Sequence, residues 1–252
     1  MKRNLAPALT VLALLGVWEL YVRLAGIPRY ILPAPSAVVQ ALWQYREQLF
    51  ITHLPVTLAE TLLGFVLSVL LGAALGAAMH LWRPVEKALY PLVVASQTIP
   101  VIAISPVFLW WFGYTLSQKV AVVILFSFFP VAVGVIDGLR SADPDLLDLL
   151  RSMGATRGRI LRMVEIPSAL PHFLAGVKVA AAVSVVGATI GEWLGGENGL
   201  GIFGRRMTSS LKTPALFASV VLLSLLGIAL FLAVRWAEAR LLRWRPTSQG
   251  NR

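Results

Sequence analysis

Six apolar runs, each near the length of a bilayer crossing, take up most of this chain: Leu5–Leu24, Val56–Leu81, Ala88–Phe112, Val120–Ile136, Phe173–Leu194 and Leu216–Trp236. A helical crossing needs about 20 predominantly apolar residues. Inside hydrocarbon every backbone N–H and C=O has to be satisfied within the protein, so such runs form helices. The expectation is an all-α, polytopic membrane protein with about six transmembrane helices, the whole of 1–252 forming a single transmembrane domain. Composition agrees: 58% of residues are hydrophobic and 13% charged, against about 25% charged in soluble domains. The first run has a basic start in Lys2 and Arg3, as a signal peptide would. No A-x-A cleavage site follows, and Trp18, Glu19 and Tyr21 interrupt the expected exit, so the run is read as a retained helix.

The chain carries a net charge of +10. Its basic residues cluster at the ends of the apolar runs, where they set topology, so this charge does not point to nucleic acid. With the N-terminus inside, the cytoplasmic segments hold fourteen Lys and Arg and the external ones seven, Lys119 among the latter, with Lys178 left inside a helix. That asymmetry predicts both termini in the cytoplasm, together with the loop 137–171. Absence of cysteine excludes disulfides, thiolate metal sites and a cysteine nucleophile. His53, His80 and His172 lack metal-ligand spacing.

The 137–171 stretch, DGLRSADPDLLDLLRSMGATRGRILRMVEIPSALP, is a polar, basic island among the runs. Asp143 and Pro144 make a helix start, and Leu146, Leu149, Leu150 and Met153 recur on one face. Gly154 supplies a left-handed stop. Thr156 caps a second helix with Ile160, Leu161 and Val164 on one side and Arg157, Arg159 and Arg162 on another, ended by Pro167. An apolar ridge left in water lacks about 25 cal/mol per Å² of burial, so the ridge lies on the chain's own loops or in a partner's groove. A DNA-reading helix-turn-helix is disfavoured, because the unit is pinned between two spans. On the other side, Ser36 is expected to cap a short interfacial helix over 37–49. Gly72 with Gly76, and Gly187 with Gly191, stand four apart and allow helix backbones to approach closely.

Few polar groups lie deep in the runs. Gln97, Thr98, Ser105 and Ser184 are the clearest, with Pro100 and Pro106 breaking the third run. Broken, polar helix segments mark pathways in transporters; the plainer alternative is that the serines satisfy their own helix carbonyls. Lys178 and Glu192 stand in the fifth run, Lys178 read as snorkelling to the surface and Glu192 open between snorkelling and function. No G-x-x-x-x-G-K-[ST] occurs, so the chain has no P-loop for ATP. No catalytic constellation is visible, and the chain is not read as an enzyme. The rival from another class is an ion-gradient-driven secondary transporter or channel. It would need membrane carboxylates, and only Glu19, Glu60 and Glu192 qualify, all near run ends.

The string DLLRSMGATRGRILRMVEIPSALP resembles the EAA loop of bacterial ATP-binding-cassette importer permeases. Gly154 holds the motif's glycine, Val164 and Ile166 its aliphatics and Pro167 its closing proline, while Asp148 replaces the glutamate and Leu149 and Leu150 replace both alanines. The resemblance covers about residues 55–240, the permease core, and includes TLAETLLGF, ASQTIPVIAISPVFLWWFG and GEWLGGENGLG, which look like the nitrate/sulfonate/taurine type. Within that type, ASQTIP and DGLRSADPDLLDLLRSMGA look nearest the branch that imports thiamine-pyrimidine precursors of the hydroxymethylpyrimidine kind. The resemblance implies a coupling helix at Asp148–Arg157, with Asp148, Ser152, Met153, Gly154, Ala155, Thr156 and Arg157 meeting the ATPase. It implies two cytoplasmic ATPase subunits that bind ATP–Mg, with no cofactor in this chain, and a location in the bacterial inner membrane. It also implies an extracytoplasmic binding protein, received by Glu197, Asn198, Arg205 and Arg206. Too few helices per chain to enclose a pathway imply a second copy of the chain, with Gln97, Thr98, Pro100, Ser105, Ser184 and Glu192 as pathway candidates.

Overall fold

A computed structural model describes residues 5–243; the side chains of residues 5–8, Ser105 and Pro106 lie outside the described set. The described residues form eleven α-helices: α1 Leu5–Leu24, α2 Pro35–Gln44, α3 Leu54–Leu81, α4 Arg83–Thr98, α5 Val101–Phe112, α6 Leu116–Arg140, α7 Pro144–Ser152, α8 Arg157–Ile160, α9 Ile166–Gly195, α10 Leu200–Ser209 and α11 Thr213–Leu241. Among the described residues, four continuous helical segments are long and apolar enough to cross a membrane: Gln48–Leu81, Leu116–Arg140, Arg157–Gly195 and Thr213–Leu241. The expected six are therefore not all present as such. The first run does form α1 over its expected length. The third run, Ala88–Phe112, is two shorter helices instead of one span. Ile99 and Pro100 are both extended (ψ 123° and 110°), because the ring of Pro100 pushes the preceding residue out of helical geometry.

Pro106, expected to break the third run, lies inside α5, and Pro167, expected to end a helix, lies inside α9, as Pro55 does inside α3. A π-helical turn at Gln48–His53 leads into Leu54–Pro55, and another at Leu161–Glu165 leads into Ile166–Pro167. In each, the residue before the proline donates five residues back, Leu54 to Leu49 and Ile166 to Leu161. The wide turn moves the carbonyls that the ring would otherwise strike, so the helix carries on. Hence the second span begins before Val56, and Pro167 ends nothing.

The chain divides into two compact units. One holds the described residues up to Leu58 together with Gly196–Leu225. Its core is Val38, Ala41, Leu49, Leu200, Phe203, Ala215, Ala218 and Leu222. Ser36 does not cap α2; Ala34 occupies that position without a side-chain bond. Instead the Glu19 carboxylate accepts from the Ser36 N–H (3.0 Å) and hydroxyl (2.8 Å), and Arg23 holds Glu19 in turn at 2.6 Å. An acidic side chain from another helix thus satisfies an orphan donor at the positive end of α2.

The other unit holds Ala59–Gly195 and the described residues from Leu226 onward. Its centre is α6, which the glycine pairs of both neighbours grip. A Cβ at Gly72 would stand 2.6 Å from the Phe128 carbonyl oxygen, and one at Gly76 2.7 Å from that of Ala132. Across α6, a Cβ at Gly187 would stand 2.9 Å from Val123 Cα, and one at Gly191 3.1 Å from Lys119 Cα. Gly134 and Gly138 of α6 approach the α9 backbone as closely, at the His172 and Ala169 oxygens (2.7 Å each). Both pairs act as backbone contacts, and both on the same helix. Gly72→Val is expected to push α3 off α6 and lower stability by about 1–3 kcal/mol, the usual effect of overpacking, read as a fall in unfolding temperature of the purified chain.

Candidate functional site

The polar island folds as a short, capped helix held by its two ends. Asp143 accepts the Asp145 N–H at 2.9 Å and Pro144 takes the first helical position, so α7 starts where the residues predict. Gly154 has φ +76°, and the end is a full Schellman closure: the Gly154 N–H donates to Arg151 O and the Ala155 N–H to Leu150 O, both at 3.0 Å. No residue of α7 is buried. Its ridge stands in the open, with Met153 74% and Leu149 56% exposed and Leu146 exposed beside them.

The remaining candidates of this segment sit around that turn. Asp148 is exposed and pairs with Arg151 at 2.7 Å, one turn along α7. The Ser152 hydroxyl donates to its own helix at Leu149 O (2.7 Å). Ala155 is half-buried. Thr156 occupies the cap position of α8, but its hydroxyl makes no capping bond. Ile160 and Val164 are buried while Arg157, Arg159 and Arg162 are exposed, the division that the spacing predicts. Arg157 donates to Leu81 O at 3.1 Å, the terminal carbonyl of α3. Below it, His80 meets Glu165 at 3.0 Å, and Arg140 at the end of α6 pairs with Glu86 of α4. A load on α7 therefore reaches α6 through a three-residue link and α9 through the continuous helix from Arg157, and these two helices approach closely enough to need glycine.

The pathway candidates separate. Gln97 and Thr98 end α4 at the break, both exposed. Gln97 reaches Leu125 O only at 3.5 Å and borders a cavity of about 280 Å³ with Pro100 and Phe126. Ser105 falls in α5, its side chain outside the described set. Ser184 is fully buried and donates to Ala181 O at 2.8 Å, the plainer of its two readings. Glu192 is fully buried and does not snorkel. It stands against Glu60, whose carboxylate is paired with Lys119 at 2.6 Å. Lys119 is thus buried in a helix pair and is no loop charge. Lys178 is half-buried, and both Glu238 oxygens, one turn from the end of α11, hold it at 2.9 Å.

Of the docking candidates, Glu197, Asn198, Arg205 and Arg206 are all exposed at the turn into α10 or along it. That turn needs Gly199 at φ 134°. It is pinned by two residues that carry no local signal: His53 Nδ1 accepts the Gly199 N–H at 3.0 Å and Thr57 Oγ1 accepts the Leu200 N–H at 2.8 Å.

A helical membrane protein with an exposed, doubly capped loop helix and no P-loop has the layout of a transporter's membrane component. The chain belongs to the family of binding-protein-dependent transport system inner membrane components, whose profile matches residues 64–243; it is an ABC-importer permease subunit, multi-pass and not itself an enzyme. It is 46% identical over 248 residues to the formylaminopyrimidine transport permease ThiX of Halalkalibacterium halodurans, covering 97% of this chain and 99% of that one. It is 35% identical to the riboflavin transport system permease RibX of Chloroflexus aurantiacus, over 94% of this chain and 89% of that one. Among solved structures, the fold matches an amino acid ABC transporter (TM-score 0.60, 18% identity, 82% of this chain and 98% of that one). It also matches the inward-facing MetNI methionine ABC transporter (TM-score 0.59, 21% identity, 84% and 97%).

Proposed function

We propose that two copies of this chain form the membrane pathway of an importer for a small pyrimidine, driven by a separate ATPase that grips α7. The exposed ridge of Leu146, Leu149 and Met153 carries this reading, because α7 is closed at both ends and yet buries none of its residues. ATPase closure pushes α7, and α6 and α9 turn with it between inward-open and outward-open states. Loop 137–171 and both termini lie in the cytoplasm of a bacterial inner membrane, following the excess of basic residues on that side. On the opposite side, Glu197, Asn198, Arg205 and Arg206 receive a binding protein that delivers the cargo.

The 46% identical relative is named for formylaminopyrimidine, which supports a thiamine-pyrimidine precursor over sulfonate, taurine or nitrate as cargo. Its test is uptake into proteoliposomes holding this chain, its ATPase and its binding protein, with labelled hydroxymethyl- or formylaminopyrimidine. ATP-dependent uptake that taurine does not compete is the expected result; uptake driven by an ion gradient without ATP overturns the reading. Glu60, one of the membrane carboxylates that a gradient-driven carrier would use, is paired with Lys119 at 2.6 Å.

Gln97 stands at the helix break, its amide held only by long hydrogen bonds to Ser96 Oγ (3.4 Å) and Leu125 O (3.5 Å), and it borders a cavity where cargo could take their place. Gln97→Leu is expected to reduce uptake at least about tenfold, the loss of one or two hydrogen bonds to a polar solute, while ATPase association stays at the wild-type level in a pull-down. Unchanged uptake removes Gln97 from the pathway.

A further inference from the structure

Beside α7 lies a cleft of about 800 Å³, within the roughly 300–1,000 Å³ usual for small-molecule sites. Four arginines line it, Arg83, Arg140, Arg151 and Arg157, against two glutamates, Glu86 and Glu165. Arg140 is spent on Glu86, and Glu165 faces His80. Arg151 leans on Asp148, which is 74% exposed at its side chain and stands outside the cleft. Arg157 gives a single N–H to Leu81 O. Arg83 makes no ion pair among the described residues. The 16-residue α4 also opens here, at Arg83, with no side-chain cap, and so turns the positive end of its dipole inward. With four guanidinium groups against two carboxylates, the cleft keeps an excess of positive charge that an anion can meet.

Its position identifies the anion. Two of the helices of membrane-crossing length end in its wall, Leu81 closing the first and Arg140 the second, and Arg157 bonds to Leu81 O beside them. The cleft accordingly sits at the depth where spans leave the hydrocarbon, the level of lipid headgroups. Trp82, 59% exposed, stands in the same wall, and tryptophan prefers that boundary. Leu81, Pro84 and Ile160 add apolar surface next to the arginines. The ATPase is not the natural occupant. Arg151 lies two positions from both Leu149 and Met153, on the opposite side of α7 from the exposed ridge.

We infer that this cleft binds the headgroup phosphate of an anionic phospholipid, with Arg83 and Arg157 as its main contacts. A basic pocket between spans at the membrane surface is the arrangement that selects such lipids. Through Arg157 and Arg151 a bound lipid would brace the same loop that carries α7, which links the lipid to the loop's rigidity. The inference needs only that the chain spans a membrane and stands whatever its cargo or drive.

The test is a native mass-spectrometry titration of the full chain in nonionic detergent with palmitoyl-oleoyl phosphatidylglycerol or the matching phosphatidylcholine. Phosphatidylglycerol is expected to bind at least about tenfold tighter, and Arg83→Gln to weaken it about fivefold, the usual effect of one basic residue at a membrane surface. The double variant Arg83→Gln/Arg157→Gln should lose more than about tenfold, with phosphatidylcholine unchanged and the exposed Arg46→Gln behaving as wild type. Arg83 bonds to no other side chain among the described residues, so its variant separates ligand loss from misfolding; both variants are checked for unchanged unfolding temperature. Equal affinity for the two lipids, or wild-type retention by Arg83→Gln, overturns the inference. Full displacement by millimolar glycerol 3-phosphate assigns the cleft to a soluble phosphate, and displacement by the purified ATPase assigns it to protein; either also overturns it.

Discussion

Lys119→Met is expected to destabilise the chain by about 3–5 kcal/mol, the usual cost of removing one partner from a buried ion pair. The Glu60 side chain is 1% exposed and Lys119 10%, and the two meet at 2.6 Å between α3 and α6. Glu192 of α9 is fully buried against the same carboxylate. Methionine fills the volume of lysine but brings no charge, so the buried Glu60 carboxylate loses the ammonium paired with it. That carboxylate cannot reach water unless three helices separate. Chemical unfolding of the purified chain in detergent measures the loss. The double variant Glu60→Gln/Lys119→Met should recover most of it, because an amide beside Glu192 can donate where a carboxylate can only repel. A loss below about 1 kcal/mol for Lys119→Met, within the range of a solvent-exposed pair, would mean that the cluster does not hold the helices together.

Gly154→Val is expected to reduce association with the ATPase more than about tenfold while leaving the unfolding temperature of the chain nearly unchanged. A Cβ at Gly154 meets nothing within 4 Å, so the effect is one of backbone alone. At φ +76° a β-branched residue is strained by about 1–2 kcal/mol or more, and the two bonds that close α7 open to relieve it. The ridge of Leu149 and Met153 then loses its fixed relation to Arg157 and the start of α9. Gly154→Asn is the control, since asparagine tolerates this region and should keep most of the binding. Pull-down of the ATPase by each tagged variant reads the result; wild-type recovery by Gly154→Val would show that the closed turn is not what the ATPase recognises.

What could be read from residues alone was whatever depends on neighbours close in the chain. Asp143 and Pro144 start α7, Gly154 ends it, and Leu146, Leu149 and Met153 fall on one exposed face, because capping and helical periodicity act over four or five residues. The apolar length of the runs was equally plain. Length alone suggests a single span at Ala88–Phe112, whereas Pro100, read as a break, does divide the run at Ile99. The proline rule misled at Pro167, where a π-helical turn lets the helix pass a residue that normally stops it.

Polar groups in the membrane were misjudged for a different reason. Lys119 reads as a loop charge, until Glu60, 59 positions away in sequence, stands 2.6 Å away in space; the ion pair of Lys178 with Glu238, 60 positions on, was equally invisible. Glu192 and Ser184 are both fully buried in this chain, which their neighbours in the sequence do not foretell. The arginine cleft shows the same limit: Arg83, Arg140, Arg151 and Arg157 are unremarkable where they stand in the chain and converge only when three helix ends meet. Local order in this protein follows from hydrogen bonds and periodicity that a short window contains. The partner of a buried or clustered charge follows from which helix faces pack together, and that was decided by glycines letting α3 and α9 close on α6.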